Sequence, residues 1–380
     1  MLLELTPDQE FFRETTARFL DDQAPVDAVR GLRDDAAGFA ADYWRRGAEL
    51  GWTSLLVGEA AGGGTISGRA VVDLTLVAFE FGRHAAPGPL VACNIVAAAL
   101  NDTGSHPDVL AALLSGEAIA SWAYAEGSGR LGDVALDVRA DGSDLVLNGV
   151  KRPVESAAQA QSLLVTGRSG EGLVQVLVPT DTPGLSVAPL RSVDLTRRFA
   201  AVTFEDVRVP AGAVVGAADA DHARGGAGAQ VARQLDLALV MLCAESVGAM
   251  QRGFDMTVEW ALDRYTFGRP LASYQALKHR FADMKTWLEA SHAVSDSAAA
   301  AVEARSPDAS ELASVAKAFI GDYGAELLQD CVQLHGGIGL TYEHDLHLFL
   351  RRLSVDRALF GTPAQHRQRI TDFLQQEEAA

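Results

Sequence analysis

Basic residues are scarce in this chain of 380: 32 Lys and Arg stand against 50 Asp and Glu, a formal net charge of −18. Such a chain repels a phosphate backbone, which argues against nucleic acid as a partner. The acidity serves solubility, and an anionic ligand would need local basic residues. Cysteine is just as sparse. Cys93, Cys243 and Cys331 lie far apart in apolar, helical-looking runs, the pattern of buried thiols in a reducing compartment and not of a disulfide frame or a metal site. No apolar run reaches the ~20 residues of a membrane span. The opening MLLELTPDQE is acidic where a secretory signal would be basic, so the expected location is the cytoplasm. A G-x-S-x-G elbow, a Walker A loop and a Cys-x-x-Cys pair are all missing.

What is present is ordinary globular material. Hydrophobic residues make up 48% and charged ones 22%, and the length allows two or three domains around a large core. Residues 1–118 read as an N-terminal helical domain. Thr6-Pro7-Asp8-Gln9 is a helix start, with a capping hydroxyl, proline in the first turn and Gln at the capping-box position. The runs around Phe11–Phe19 and Val71–Phe81 have helical spacing, with a GEAAGGG loop at 58–64 between them. From 119 to 215 short β-rich runs alternate with turns such as DGSD and DTPG, the pattern of a β barrel or sandwich. An Ala/Gly-rich linker at 211–230 leads into a helical region, 216–380. Helices are expected over Val231–Arg264, Ser273–Ala304, Pro307–Gln333 and, last, near Asp345–Arg352. The fold class is thus α+β, laid out as α, then β, then α.

Two apparent motifs fail on context. Gly127-Ser-Gly129-Arg-Leu-Gly132 matches a dinucleotide fingerprint, but a strand and turn come after it where the fingerprint requires a helix. A role as a loop edging a ligand pocket stays open. His344 and His347, flanked by Glu343 and Asp345, lack a third ligand at sensible spacing, so a solvated helix start is the better account and no metal is expected.

Two others carry more. Arg264-Tyr-Thr-Phe267-Gly268-Arg269-Pro270, with Gln275 and then Lys278-His279, could be a simple helix stop, yet an Arg there suits a bidentate grip on a diphosphate. Gln333-Leu-His335-Gly336-Gly337-Ile-Gly339 comes after a long helix, and its glycines let backbone amides approach a pyrophosphate. The spacing of both, about 70 residues apart, resembles the two signatures of the acyl-CoA dehydrogenase family. The FEDVRVP run at 204–210 and the GWTSLLVGEAAGG and EFGRHAAPGPL runs are similar to that family too, so the resemblance covers essentially the whole chain.

The resemblance implies a tetramer of three-domain subunits: an N-terminal helical domain, a β barrel and a C-terminal four-helix bundle. It implies FAD at a subunit interface, a glutamate that removes the α-proton of an acyl-CoA, and β-hydride transfer giving a trans-2-enoyl-CoA. Electrons then pass to an electron-transferring flavoprotein. Carried over by position, Arg264, Phe267, Gln275, Gln333, Gly336 and Gly337 would hold the ADP half of a flavin bound mainly by the neighbouring subunit, and Thr362 joins this cofactor set.

The half that would hold the flavin ring on this chain departs from the family. Its Thr-Glu-Pro-x-Ala-Gly-Ser-Asp run is here Ala125-Glu126-Gly127-Ser128-Gly129-Arg130, and its Trp-x-Thr segment is Pro153-Val154-Glu155. The base is missing from both places where members keep it, which here are Phe360, before Gly361-Thr362, and Ala238, with Leu239 next to it where an arginine is frequent. General base catalysis contributes ~10²–10⁴-fold. Glu245 is a weak substitute, since it lies seven residues beyond Ala238, ~10 Å along a helix; Glu343 is another weak candidate. Asp236 suits contact with the CoA arm. The expectation is therefore a base-lacking subunit of an α2β2 acyl-CoA dehydrogenase, similar to actinobacterial assemblies acting on bulky substrates such as steroid side-chain thioesters. The alternatives are a homotetrameric flavoenzyme with a displaced base and a non-catalytic flavin- or acyl-CoA-binding relative.

Overall fold

The computed structural model describes residues 4–127, 131–170, 172–216 and 226–379. Ser128, Gly129 and Arg130 of the glycine-rich run, and 217–225 of the linker, lie outside the described residues.

Helix α1 (Pro7–Gln23) starts as its sequence dictates: Gln9 N donates to Thr6 Oγ1 at 3.2 Å and Thr6 N to Gln9 Oε1 at 3.1 Å. Helices α2 (Val26–Gly31), α3 (Ala41–Glu49), α4 (Ala70–His84), α5 (Leu90–Thr103) and α6 (Pro107–Leu114) complete the first helical region. Of these, α4 and α5 are apolar almost all round and buried on nearly every face.

Seven strands come next: β1 (Ala120–Ala123), β2 (Asp137–Asp141), β3 (Asp144–Glu155), β4 (Ser162–Ser169), β5 (Gly172–Pro179), β6 (Leu185–Leu190) and β7 (Phe199–Pro210). They form one sheet in the order β1-β4-β2-β3-β7-β6, with β5 also on β4. Its inner face has its own core, with Leu147, Leu163, Val176, Val202 and Phe204 at its centre. Register shifts between β3 and β7 help the sheet to curl.

The second helical region comprises α7 (Gly228–Asp263), α8 (Gln275–Ala304), α9 (Ala309–His335), α10 (Leu346–Ala358) and α11 (Pro363–Ala379), with a small hairpin of β8 (Tyr265–Thr266) and β9 (Arg269–Pro270) after α7. The helices expected from the sequence end at α10, and the structure adds α11. Its cap repeats that of α1: Thr362-Pro363-Ala364-Gln365, with Thr362 N donating to Gln365 Oε1 at 2.9 Å. Helices α4 and α7 cross backbone to backbone. A Cβ on Gly82 would sit 1.8 Å from the Glu245 carbonyl oxygen, and one on Gly248 would sit 2.0 Å from that of Phe79. This contact seats Glu245 against the first helical region. Among the described residues no helix is long and apolar enough to cross a membrane.

Candidate functional site

A cavity of about 500 Å³ opens between the sheet, α5 and the α10–α11 junction. Ala125, Glu126, Gly127 and Gly132 border it, as do Pro153 and Glu155, so both segments expected to hold a flavin ring do face one pocket. Gly127 and Gly132 thus edge this cavity, and the chain beyond Gly132 leads into strand β2 and not into a helix.

Three aromatic rings form one wall. Trp122 and Tyr124, two residues apart and hence on one side of an extended chain, stack with centroids 4.5 Å apart and planes at 21°. Phe360 stacks on Trp122 at 5.4 Å and lies 6.4 Å from Tyr124. Each ring is anchored from behind. Trp122 Nε1 donates to Thr166 Oγ1 at 2.9 Å, and Gln175 Nε2 joins that hydroxyl at 3.0 Å while bonding Gln234 of α7. Buried Lys151 donates to the Tyr124 carbonyl at 3.0 Å. Phe360 adopts φ 53°, an unusual conformation for a bulky residue, and its surroundings enforce it. Lys317 Nζ donates to the Leu359 carbonyl at 3.0 Å and to that of Asp356. His366 Nε2 lies 3.0 Å from the Phe360 carbonyl; a carbonyl only accepts, so this nitrogen carries the proton. Burial, reinforced by Lys317, holds the His366 pKa down at about 3.

The cavity carboxylates are occupied. Glu126 accepts from Lys151 Nζ at 2.5 Å and from the N–H groups of Ala135 and Leu136 at 2.8 and 2.9 Å. Burial works to raise its pKa, but Lys151 and these amides outweigh that and hold it below the usual carboxylate range. Burial in turn pushes Lys151 down to about 8, against the pull of Glu126. Both oxygens of Glu155 are gripped by Arg197, Nε to Oε1 at 2.7 Å and Nη2 to Oε2 at 2.8 Å. The other lining carboxylate, Asp133, is exposed at the rim.

Behind Glu155 lies a buried ion network. Arg197 reaches Asp356 at 2.5 Å and Glu245 at 3.7 Å. Arg352 binds Asp194 at 2.7 Å, Glu245, Thr196 Oγ1 and the Ala86 carbonyl at 2.9 Å, joining all three regions of the chain. Glu155, Asp194, Glu245 and Asp356 face the three cations Arg197, Arg352 and Lys317. The surplus negative charge tells on Asp356, whose pKa is raised well above the carboxylate range by burial and then by Glu245.

The structure thereby corrects the weak base candidates. Glu245 does not line the cavity; it is 4% exposed and bound to arginines. Glu343 is exposed beyond α9, with its carbonyl accepting from Arg30 at 3.1 Å. Ala238 and Leu239 are buried in the α7 core and do not border the cavity. Asp236 does not border it either: it accepts from Ser310 Oγ at 2.6 Å and from Arg369 at 3.4 Å, and burial raises its pKa. His347 stacks on Tyr342 at 4.6 Å, and His344 Nδ1 accepts the Leu346 N–H at 3.2 Å.

The other predicted set gathers on a separate surface. His335 stacks on Trp260 at 5.4 Å with planes at 18°, and the Arg264 guanidinium lies 5.8 Å from the same indole. This aromatic link brings the two motifs together. Arg264 is exposed and has no carboxylate partner among the described residues; Gln333 and Gln275 are exposed as well, the latter with Nε2 3.1 Å from His279. Phe267 is 95% exposed. A Cβ on Gly336 or Gly337 would meet nothing within 4 Å; Gly336 has a left-handed φ of 66°, whereas neither packing nor φ demands glycine at 337. None of these residues borders the cavity. An anionic diphosphate fits this surface: a free guanidinium, exposed amides and two glycines facing open space. Thr362 is exposed, and its N–H and hydroxyl bond to Gln365 in the α11 cap.

The description "Acyl-CoA dehydrogenase, N-terminal domain" matches residues 6–117, and "Acyl-CoA dehydrogenase, C-terminal domain" matches 226–375. Acyl-CoA dehydrogenase IpdE2 of Mycobacterium tuberculosis is 30% identical over 371 residues, covering 96% of this chain and 98% of its own length. The chain belongs to the acyl-CoA dehydrogenase family. Mitochondrial isobutyryl-CoA dehydrogenase of Dictyostelium discoideum is 29% identical, covering 98% and 91% of the two chains. A variant of the Tcur3481-Tcur3483 steroid ACAD has a similar structure, with a TM-score of 0.88, 25% identity and coverage of 98% and 99%. Acyl-CoA dehydrogenases are FAD-dependent oxidoreductases. In this member an aromatic ring, Phe360, stands on the cavity wall, and the carboxylates of Glu126 and Glu155 are paired with cations.

Proposed function

We propose that this chain is the base-lacking subunit of a heterotetrameric acyl-CoA dehydrogenase of the cytoplasm, built from units 1–118, 119–215 and 216–380. The observation that carries this is Phe360, locked into an aromatic wall where a glutamate would be needed, with Glu126 and Glu155 both paired to cations. A homologous partner subunit would hold the flavin ring and supply the glutamate. Arg264 would grip the diphosphate of the partner's FAD, Gln275 and Gln333 would bond its ADP half, and exposed Phe267 would pack against the cofactor or the partner. Gly336 and Gly337 would let backbone amides come close. When bound, FAD supplies the hydride acceptor for conversion of an acyl-CoA to a trans-2-enoyl-CoA, with an electron-transferring flavoprotein taking the electrons. Similarity to a steroid ACAD supports a bulky acyl group as substrate.

The test is to purify the chain alone and co-expressed with a homologous acyl-CoA dehydrogenase, recording flavin content and acyl-CoA oxidation with an artificial acceptor. Flavin and turnover only in the complex are expected. Full flavin and turnover by the lone chain would overturn this assignment in favour of a homotetramer with a displaced base. Absence of flavin from both preparations would leave a non-catalytic relative.

A further inference from the structure

The cavity is open and roomy, although the carboxylates at its depth, Glu126 and Glu155, are paired with cations. About 500 Å³ lies within the ~300–1,000 Å³ that encloses a drug-sized ligand. Here the walls are held open by buried polar anchors: Thr166, Gln175 and Gln234 behind Trp122, Lys151 behind Tyr124, and Lys317 with His366 behind Phe360.

The chemistry of the lining selects the ligand. Val91, Ile95, Leu131, Val355 and Leu359 supply apolar surface beside the three rings. The polar groups at depth are already satisfied. Ser121 Oγ donates to the Glu155 carbonyl, Trp122 Nε1 to Thr166, and the carboxylates of Glu126 and Glu155 are held by Lys151 and Arg197. A flavin ring has a polar edge of carbonyls and ring nitrogens, which would lose its hydrogen bonds to water here and regain few. A flexible acyl chain would lose rotamer freedom and make little use of a stacked wall. A rigid, uncharged and largely hydrocarbon ring system carries less of both costs.

Resting on the assignment of the flavin ring to the partner subunit, we propose that this chain's own cavity is a non-redox binding site for an uncharged, largely hydrocarbon polycyclic group, received against the Trp122–Tyr124–Phe360 wall. The ligand is bound and released unchanged, so the subunit adds a second, non-reacting site for ring-bearing molecules to the assembly.

Isothermal titration of the full chain with progesterone, as a neutral tetracyclic probe, and with lumichrome, as a flavin-ring probe, tests this. Saturable one-to-one binding of progesterone, tighter than lumichrome, is expected. Phe360→Leu keeps apolar bulk and removes one stacking ring, so affinity should fall roughly 2- to 10-fold, while Phe360→Tyr should keep it within about twofold. Absence of progesterone binding, tighter binding of lumichrome, or equal affinity in Phe360→Leu would each overturn the proposal. Flavin content and turnover of the co-expressed complex are read separately. If they persist while progesterone fails to bind, only the ring site is refuted; flavin and turnover in the lone chain would refute the subunit assignment itself.

Discussion

Phe360 lies against Trp122 with ring centroids 5.4 Å apart and planes 21° from parallel. Residue 360 therefore presents a hydrocarbon face to the cavity, in a backbone conformation the surroundings enforce.

Arg264→Ala should remove flavin from the co-expressed complex. An exposed guanidinium whose side-chain contact is a loose one, 5.8 Å from the Trp260 ring, contributes little to folding, whereas charge-assisted bonds to a diphosphate contribute about 1.5–3 kcal/mol. Flavin affinity should drop roughly 10- to 100-fold with an unchanged melting temperature. Flavin spectra after gel filtration check this, and unaltered flavin content would show that this surface does not hold the cofactor.

The two glycines of the same surface should behave differently. Gly336 has φ 66° and ψ −141°, so Gly336→Ala should cost about 1–3 kcal/mol in backbone strain. Gly337 lacks a left-handed φ and has nothing near its Cβ position. Gly337→Ala should leave folding stability within about 0.5 kcal/mol while lowering flavin retention in the complex. Urea unfolding and flavin content together separate the two effects.

Arg352→Met should destabilise the chain by about 3–5 kcal/mol, because it strips the bound cation from Asp194 and leaves Glu245 only the more distant Arg197 in a dry interior. Equilibrium denaturation would measure it. A loss under about 1 kcal/mol would show that water or relaxation compensates the network.

Acid should weaken the fold through His366. Its pKa is about 3 in the folded chain, below the ordinary value of 6.5, so between those limits the unfolded chain binds one more proton and stability rises with pH. The neutral imidazole thus contributes stability that is present above about pH 6.5 and lost as pH falls toward 3, with a slope of about 1.4 kcal/mol per pH unit. His366→Gln should flatten the pH dependence over that window. An unchanged slope, measured by denaturation at several pH values, would assign acid sensitivity to other groups such as His292, held down at about 4.

Much of this protein is written locally. Thr6 and Gln9 cap α1 because hydroxyl and amide at that spacing reach each other's backbone N–H. The same four-residue signal at Thr362 announces α11, although Gly361-Thr362 draws notice first as the segment beside a missing base. The aromatic pair of the cavity wall is visible as well: Trp122 and Tyr124 stand two apart in a β-rich run.

Local signals thus specify which elements form and which residues make up the two motifs, because caps, periodicity and residue identity act over a few positions. The roles of the remaining charges emerge only when the chain is folded. Glu155 meets Arg197, Arg352 reaches both Asp194 and Glu245, and Lys317 fixes the turn that carries Phe360. These partners lie 42 to 158 residues apart. Pairing of buried charges depends on distance in space and on dielectric, and neither is encoded in local spacing.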